Sequence, residues 1–486
     1  MQIPFGEWLP DLPDHLNPGA TIASGVYPAA NSYKPWKATN NISGTALDSQ
    51  CKGGISAKDV DSNSYTFAGT QTKLYQLDGT TLSNVSKSGN YTGGADEMWD
   101  FTVFGNHVVA ANGVDAPQVF TLGSSSLFAN LGGSPPIFTF SNVIRDFLFT
   151  GRISTAKNRV QWSGINDIET WTSGTKQSDY QDLADGGEVT GITGGEYGYI
   201  FQENAITRVD YVGAPTIFRF STISKNRGAI YAKSIVQVGN RVFFYAQDGF
   251  FEISGDQIKA IGQHKVNASF QSDLDVGFQK NIAGANDPLN NLVIWSYPSD
   301  DATLGVNDTL LIYNYAIGRW SEVTASVPMI WTAFGQPYTV ETLDTISTSL
   351  ENLTASFDSR FYLGGTLFMS GASDSHYIVD FTGNTLAATI TTGEIEPIPN
   401  KRSTITRITP LTDSAISSST PTARIGSRAR AGDSVSNTSY VALTTNGTVP
   451  LRSTGRYHRL SLNIAANISW NDAQGMDAQI VSAGNR

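Results

Sequence analysis

The clearest pattern of apolar and polar positions lies at residues 238–253, VGNRVFFYAQDGFFEI. A Gly-Asn turn leads into an apolar and aromatic run (Val242, Phe243, Phe244, Tyr245). A second turn at Gln247-Asp248-Gly249 leads into another (Phe250, Phe251, Ile253). An Asp-Gly pair between two such runs predicts a β-hairpin, because glycine supplies the positive φ that a primed turn demands. The stretch reads as two adjacent strands of a meander.

Related phrases, each a turn, an apolar strand, a second turn and a second strand, recur near Thr70, Asn106, Asp146, Glu196 and Asn291, with Asn240 marking the reference copy. The six turns are spaced roughly 44 residues apart, as four-stranded propeller blades are. A hairpin-like region at 357–382 (SRFYLGG, then SHYIVDF) is placed to close the set. The pattern predicts an all-β chain with a β-propeller-like core of about six or seven degenerate blades over residues 56–393. A large sandwich or barrel shows similar short strands and turn signals and is the competing architecture.

The flanks read differently. Residues 1–55 predict an extended arm: Pro4, Pro10, Pro13, Pro18, Pro28 and Pro35 break any long helix or central strand. Phe5, Trp8, Tyr27, Tyr33 and Trp36 sit on it without helical or strand period, so they need a surface to lie on. That surface is either this chain's own core or a partner, and the five are candidate partner-binding residues. Beyond Gly393 two prolines and a switch in charge mark a boundary, and 394–486 predicts a small basic β domain. Its strands are expected at 404–408, 423–425, 440–443 and 458–464. Arg424, Arg428 and Arg430 lie along one of them, at least two on one face. They form either a surface network or a docking face for an acidic partner.

Composition agrees with all-β: 47 Gly, 11% aromatic and only 15% charged residues in 486. The single cysteine, Cys51, excludes an internal disulfide framework and a multi-cysteine zinc site. The N-terminus lacks the basic-then-apolar layout of a secretory signal, and no apolar run is long enough to span a membrane. The chain is expected to stay soluble in a cell or in an assembly built there. The net charge of −11 is unevenly spread: residues 401–486 carry ten basic against four acidic groups, so the other 400 residues carry −17. An acidic body grips nucleic acid poorly, and would let a passing DNA strand slide.

No catalytic constellation assembles. The histidines (His15, His107, His264, His376, His458) form no HExxH or i, i+4 pair, and GxSxG and Walker patterns are absent. Carboxylate pairs for glycoside hydrolysis need only meet in space, but the repeated Asp-box phrases of bacterial sialidases are missing. Asp179, Asp182, Asp185 and Glu188 do not match an EF-hand and read as a solvated loop. The expectation is no enzyme, no cofactor and no metal. The segment KNRVQWSGINDIETW (157–171) reads as the outer edge of a blade.

The opening FGEWLPDLPDHLNPGATIASGVYPAANSYKPW and the closing GRYHRLSLNIAANISWNDAQGMDAQI resemble the ends of the tail nozzle or tail hub proteins of short-tailed bacteriophages, also called packaged-DNA stabilization proteins. KNRVQWSGINDIETW and DLADGGEVTGITGGEYGYIFQENAITRVDYVG look like that family's interior, so the resemblance covers nearly the whole length. It implies a structural virion protein of the tail, assembled in the host bacterial cytoplasm. Six copies would form a ring continuing the channel below the portal and adaptor rings. That homo-hexamer would also meet the tail needle, fibre or spike proteins, and would retain packaged DNA until ejection. The lumen would pass double-stranded DNA without reading its sequence. The alternatives are a glycan-binding or glycan-cleaving tail component and a cellular propeller scaffold.

Overall fold

The computed structural model describes residues 1–15, 17–335, 365–415 and 420–483. The first half of the expected closing hairpin, SRFYLGG, lies almost wholly outside the described residues. Among the described residues, six separate four-stranded sheets and the first four strands of a ten-stranded sheet make seven antiparallel blades. Their innermost strands are Gly53–Lys58, Asp100–Phe104, Phe140–Ile144, Val189–Ile192, Val236–Val238, Ala283–Asp287 and Met329–Phe334. The ring closes where the last of these packs on the first. There the Phe334 N–H donates to Ser56 Oγ at 3.1 Å, and the Trp331 ring covers Gly54 so closely that a Cβ would meet it at 2.6 Å. The chain is therefore a seven-bladed β-propeller with a second β unit attached.

Blade 5 shows why an unbroken apolar run makes a central strand here. In Arg241–Ala246, paired with Gly249–Ser254, successive side chains point to opposite faces. Val242 and Phe244 enter the cluster shared with Phe201 of blade 4, while Phe243 and Tyr245 enter the cluster shared with Trp295 and Tyr313 of blade 6. Both faces of a blade are covered, so the polar half of the usual alternation disappears. Gly249 takes φ +125°, and a Cβ there would fall 1.9 Å from Asn267 Nδ2, so the turn and the packing both require glycine.

Five of the six sequence turns, at Asn106, Asp146, Glu196, Asn240 and Asn291, join the first and second strands of blades 2 to 6. Thr70 is out of phase by one hairpin, lying between the second and third strands of blade 1 (Ser64–Gly69, Leu74–Asp78). The strand expected at an outer edge is the third of blade 3, Ala156–Trp162. The acidic stretch expected as loop begins with that blade's outer strand, Asp179–Asp182.

The arm is not separate. Asn40–Asn41 pairs with Ile378–Asp380 and supplies the fourth strand of blade 7, so a segment preceding blade 1 completes the last blade. Ala20–Ser24 bridges in parallel to the outer strand of blade 6 (Arg319–Thr324), and on its other side pairs with Ala388–Thr392. That strand in turn pairs with Tyr457–Ile464, which pairs with Thr422–Arg428. One ten-stranded sheet thus runs from the propeller into the second unit. Facing it, a second sheet joins Ser403–Thr412 to Ala473–Ser482, with Gln2–Pro4 along the latter. Ile405, Ile425, Leu460, Leu462 and Met476 fill the space between the two sheets. The strand at 388–392 therefore belongs to this sandwich, and the propeller proper ends at Asp380. The sequence pattern did not predict Ala473–Ser482.

Candidate functional site

Two regions collect polar chemistry: the seam where the arm is laid into the fold, and the mouth of the propeller. At the seam, Arg319 on blade 6 reaches across the arm. Its Nη2 donates to the carbonyls of Phe5 (3.2 Å) and Gly6, its Nη1 to Ala30 O (3.2 Å), and its guanidinium lies 5.0 Å from the Tyr33 ring centre. Tyr33 Oη donates to Gly6 O at 2.8 Å, and burial pushes this phenol up to about 12. A proline-broken arm has carbonyls without ladder partners, and a fork of five donors satisfies several at once. Asp11 accepts the N–H groups of Ala268 (2.9 Å) and Ser269 (2.8 Å), capping from a distance the only α-helix among the described residues, Asn267–Asp273.

At the far side of the seam, the buried Glu394 carboxylate receives Arg428 Nη2 at 2.6 Å, with Arg459 Nε at 3.6 Å and His15 Nδ1 at 3.5 Å. Arg459 also pairs with Asp14 at 2.7 Å. Charges this deep stand only when paired, so the cluster ties arm to sandwich. Between seam and ring, burial and then the Asp273 charge raise the Glu322 carboxyl to about 7. Neither Arg319, Glu322 nor Glu394 carried a sequence signal, since each acquires its role from partners far along the chain.

These positions correct the expectation for the arm. Phe5, Trp8, Tyr33 and Trp36 are buried in this chain's own core, and Tyr27 is half-buried against Trp36 with its phenol pushed up to about 12 by burial. They are the inner face of a strap, not an accessible partner surface. The arginine triplet divides. Arg424 and Arg428 share a face of Thr422–Arg428; the first stacks on Tyr440 at 4.6 Å and the second is spent on Glu394. Arg430 is exposed beyond the strand end, its backbone N–H on Asp433.

The mouth is a cavity of about 1200 Å³ at one end of the inner strands. Lys233, entering blade 5, pairs with Asp100 of blade 2 at 3.1 Å, and Lys280, between blades 5 and 6, pairs with Asp96, between blades 1 and 2. Both pairs join non-adjacent blades and so span the opening. Arg152 and Lys157 converge on Glu188 at 3.0 and 2.9 Å, and the Lys157 hydrogen bond chiefly holds that carboxyl below its usual range. Asp182 is held by Arg159 of the same blade at 2.6 Å, and Asp179 accepts from Ser173 Oγ at 2.7 Å.

No group of three or more metal-ligating side chains occurs among the described residues. Of the histidines, His458 is fully buried against Ser403 Oγ at 2.9 Å inside the sandwich. Cys51 is buried too, and burial pushes its thiol up to about 11. No helix of the described residues is long and apolar enough to cross a membrane.

No family model and no curated protein matches the chain. Among solved structures, it is similar to the extracellular domain of the putative one-component system BT4673 from B. thetaiotaomicron, at 12% identity over 72% of this chain and a TM-score of 0.44. The match covers 40% of that protein's chain, so this chain spans well under half of it. BBS1N in complex with ARL6DN matches at 10% identity, covering 72% of this chain and 97% of its own, with a TM-score of 0.41. BamB from Moraxella catarrhalis matches at 10%, covering 73% and 92%, with a TM-score of 0.33. At such identities nothing about activity or partners transfers.

Proposed function

We propose that the chain is a structural subunit of a short-tailed bacteriophage tail, one of six copies in the nozzle ring that continues the portal and adaptor channel. In that place it helps retain packaged DNA and conducts it during ejection. The observation that carries the reading is where the resemblance lies and what the fold does with it. The opening and closing stretches that resemble the nozzle family are the ones laid into each other, with the Phe5 N–H donating to Gln474 O at 2.9 Å and Tyr33 opposite Ala473. The unit they build is continuous with blade 6.

Two further features support a conducting rather than a catalytic role. The bore of the propeller is crossed at its mouth by the Lys233 and Lys280 ion pairs, so DNA would pass along a lumen between copies. The body facing such a lumen is acidic, which weakens phosphate attachment and favours sliding.

The test is the mass of the purified chain in solution, alone and after mixing with the portal and adaptor complex of its source. Six copies loaded on that complex is the expected result. A chain that stays monomeric and ignores the complex ends the reading and directs attention to glycan screening.

A further inference from the structure

The sandwich carries a groove that neither the seam nor the mouth explains. It is about 500 Å³ in volume and lies at the edge of the sandwich, between the end of Thr422–Arg428, the short strand Ser453–Gly455 and Arg402. Its chemistry is one-sided. Arg402 and Arg452 are exposed and line the groove, and their guanidinium groups have no carboxylate or other partner among the described residues. Also in the lining, Ser427 Oγ and Ser453 Oγ stand 2.8 Å apart; one donates to the other, which leaves one hydroxyl proton for a ligand.

Arg428 adds to the deficit of acceptors. Its Nη atoms are taken by Glu394 and by the carbonyls of Ala431 and Asp433, yet its buried Nε has no partner. The acid lining the groove, Asp433, already accepts the Arg430 N–H at 3.0 Å. Two free guanidinium forks and one free hydroxyl proton match a group with several acceptor oxygens, above all a carboxylate bound two bonds at a time.

The same chain offers that group in quantity, since residues 1–400 carry −17 while 401–486 carry +6. A closed ring joins unlike patches of successive copies. We propose that this groove docks acidic side chains on the propeller body of a second copy of the chain. The proposal rests on the ring reading for the arrangement that brings the two faces together. The groove's charge and lining stand without it.

Sedimentation of the purified chain in low and high salt tests this. The expected result is concentration-dependent self-association in low salt, weakened roughly tenfold or more by high salt and by the pair Arg402→Glu and Arg452→Glu together. Arg407→Glu, exposed on the same domain but outside the groove, controls for net charge and is expected to change nothing. Near-ultraviolet circular dichroism confirms that the variants fold. A chain that stays monomeric at every concentration overturns the proposal, as does association that the double variant leaves intact. A double variant that keeps association but loses binding to duplex DNA overturns it in favour of a phosphate site. The two readings fail separately. Groove-dependent association with no loading on the portal complex ends the ring role alone, and six copies of the double variant loaded normally end the groove alone.

Discussion

The blades and the seam are built from the same strands but by opposite rules of distance. Within blade 5 all four strands lie between Val236 and Ala260, and each pairs with its neighbour in sequence. At the seam, Met1 donates to Asp477 across 476 residues, and Thr21 Oγ1 donates to Thr392 O across 371. Local pairing closes small loops and is written into short phrases. Pairing of the two termini becomes possible only once everything between them is in place. The contrast teaches that the ring is specified piecewise, whereas its closure and its attachment to the sandwich depend on one strap.

If the strap locks both units, damage there should reach the ring. Trp8→Ala removes a buried indole whose Nε1 donates to Thr21 O at 3.3 Å. It is expected to cost about 4 kcal/mol, read by chemical denaturation, and to lower the transitions of propeller and sandwich together. Separate transitions, with only the sandwich affected, would break the comparison. Glu394→Ala leaves Arg428 and Arg459 without their buried counter-charge and is expected to cost about 3 kcal/mol. The same assay decides it, and a loss below about 1 kcal/mol would mean that water replaces the carboxylate there.

The third effect is smaller and of opposite sign. Glu322 lies between ring and strap with its carboxyl raised on folding from 4.5 to about 7. A group raised in this way favours its protonated form in the fold. Its contribution is therefore complete below the unfolded value and is lost as pH rises through about 7. Glu322→Gln imitates the protonated form, so it should stabilise by about 2 kcal/mol well above pH 7 and change nothing near pH 4. A stability difference independent of pH would refute that account. Last, Arg159→Ala breaks a pair on the outer edge of blade 3, where the Asp182 side chain is 48% exposed. It should cost less than about 1 kcal/mol, marking how little a blade edge depends on its charges.

Much of the fold was legible in the chain. The Gln247-Asp248-Gly249 turn lies at its expected place, and five repeated turns mark five blades in register, because hairpin chemistry acts over a few residues. Tyr33 and Trp36 were legible as apolar groups in need of cover, but not as the inside of a strap. Their surface, blade 6 beneath Arg319 for the first and Phe381 for the second, lies some three hundred residues away. Arg428 was legible as a cation and not as the partner of Glu394.

By itself, then, the sequence determined an all-β chain, a repeat of blade length, an acidic body with a basic end, and no recognisable catalytic pattern, since these follow from local turn chemistry, periodicity and composition. The tertiary structure alone decided that the blades number seven and that residues before the first complete the last. It also decided that both termini share one sandwich, and that the free arginines Arg402 and Arg452 meet at one groove. Those outcomes depend on which distant strand edges and which charges come together in space, and no short stretch of chain carries that information.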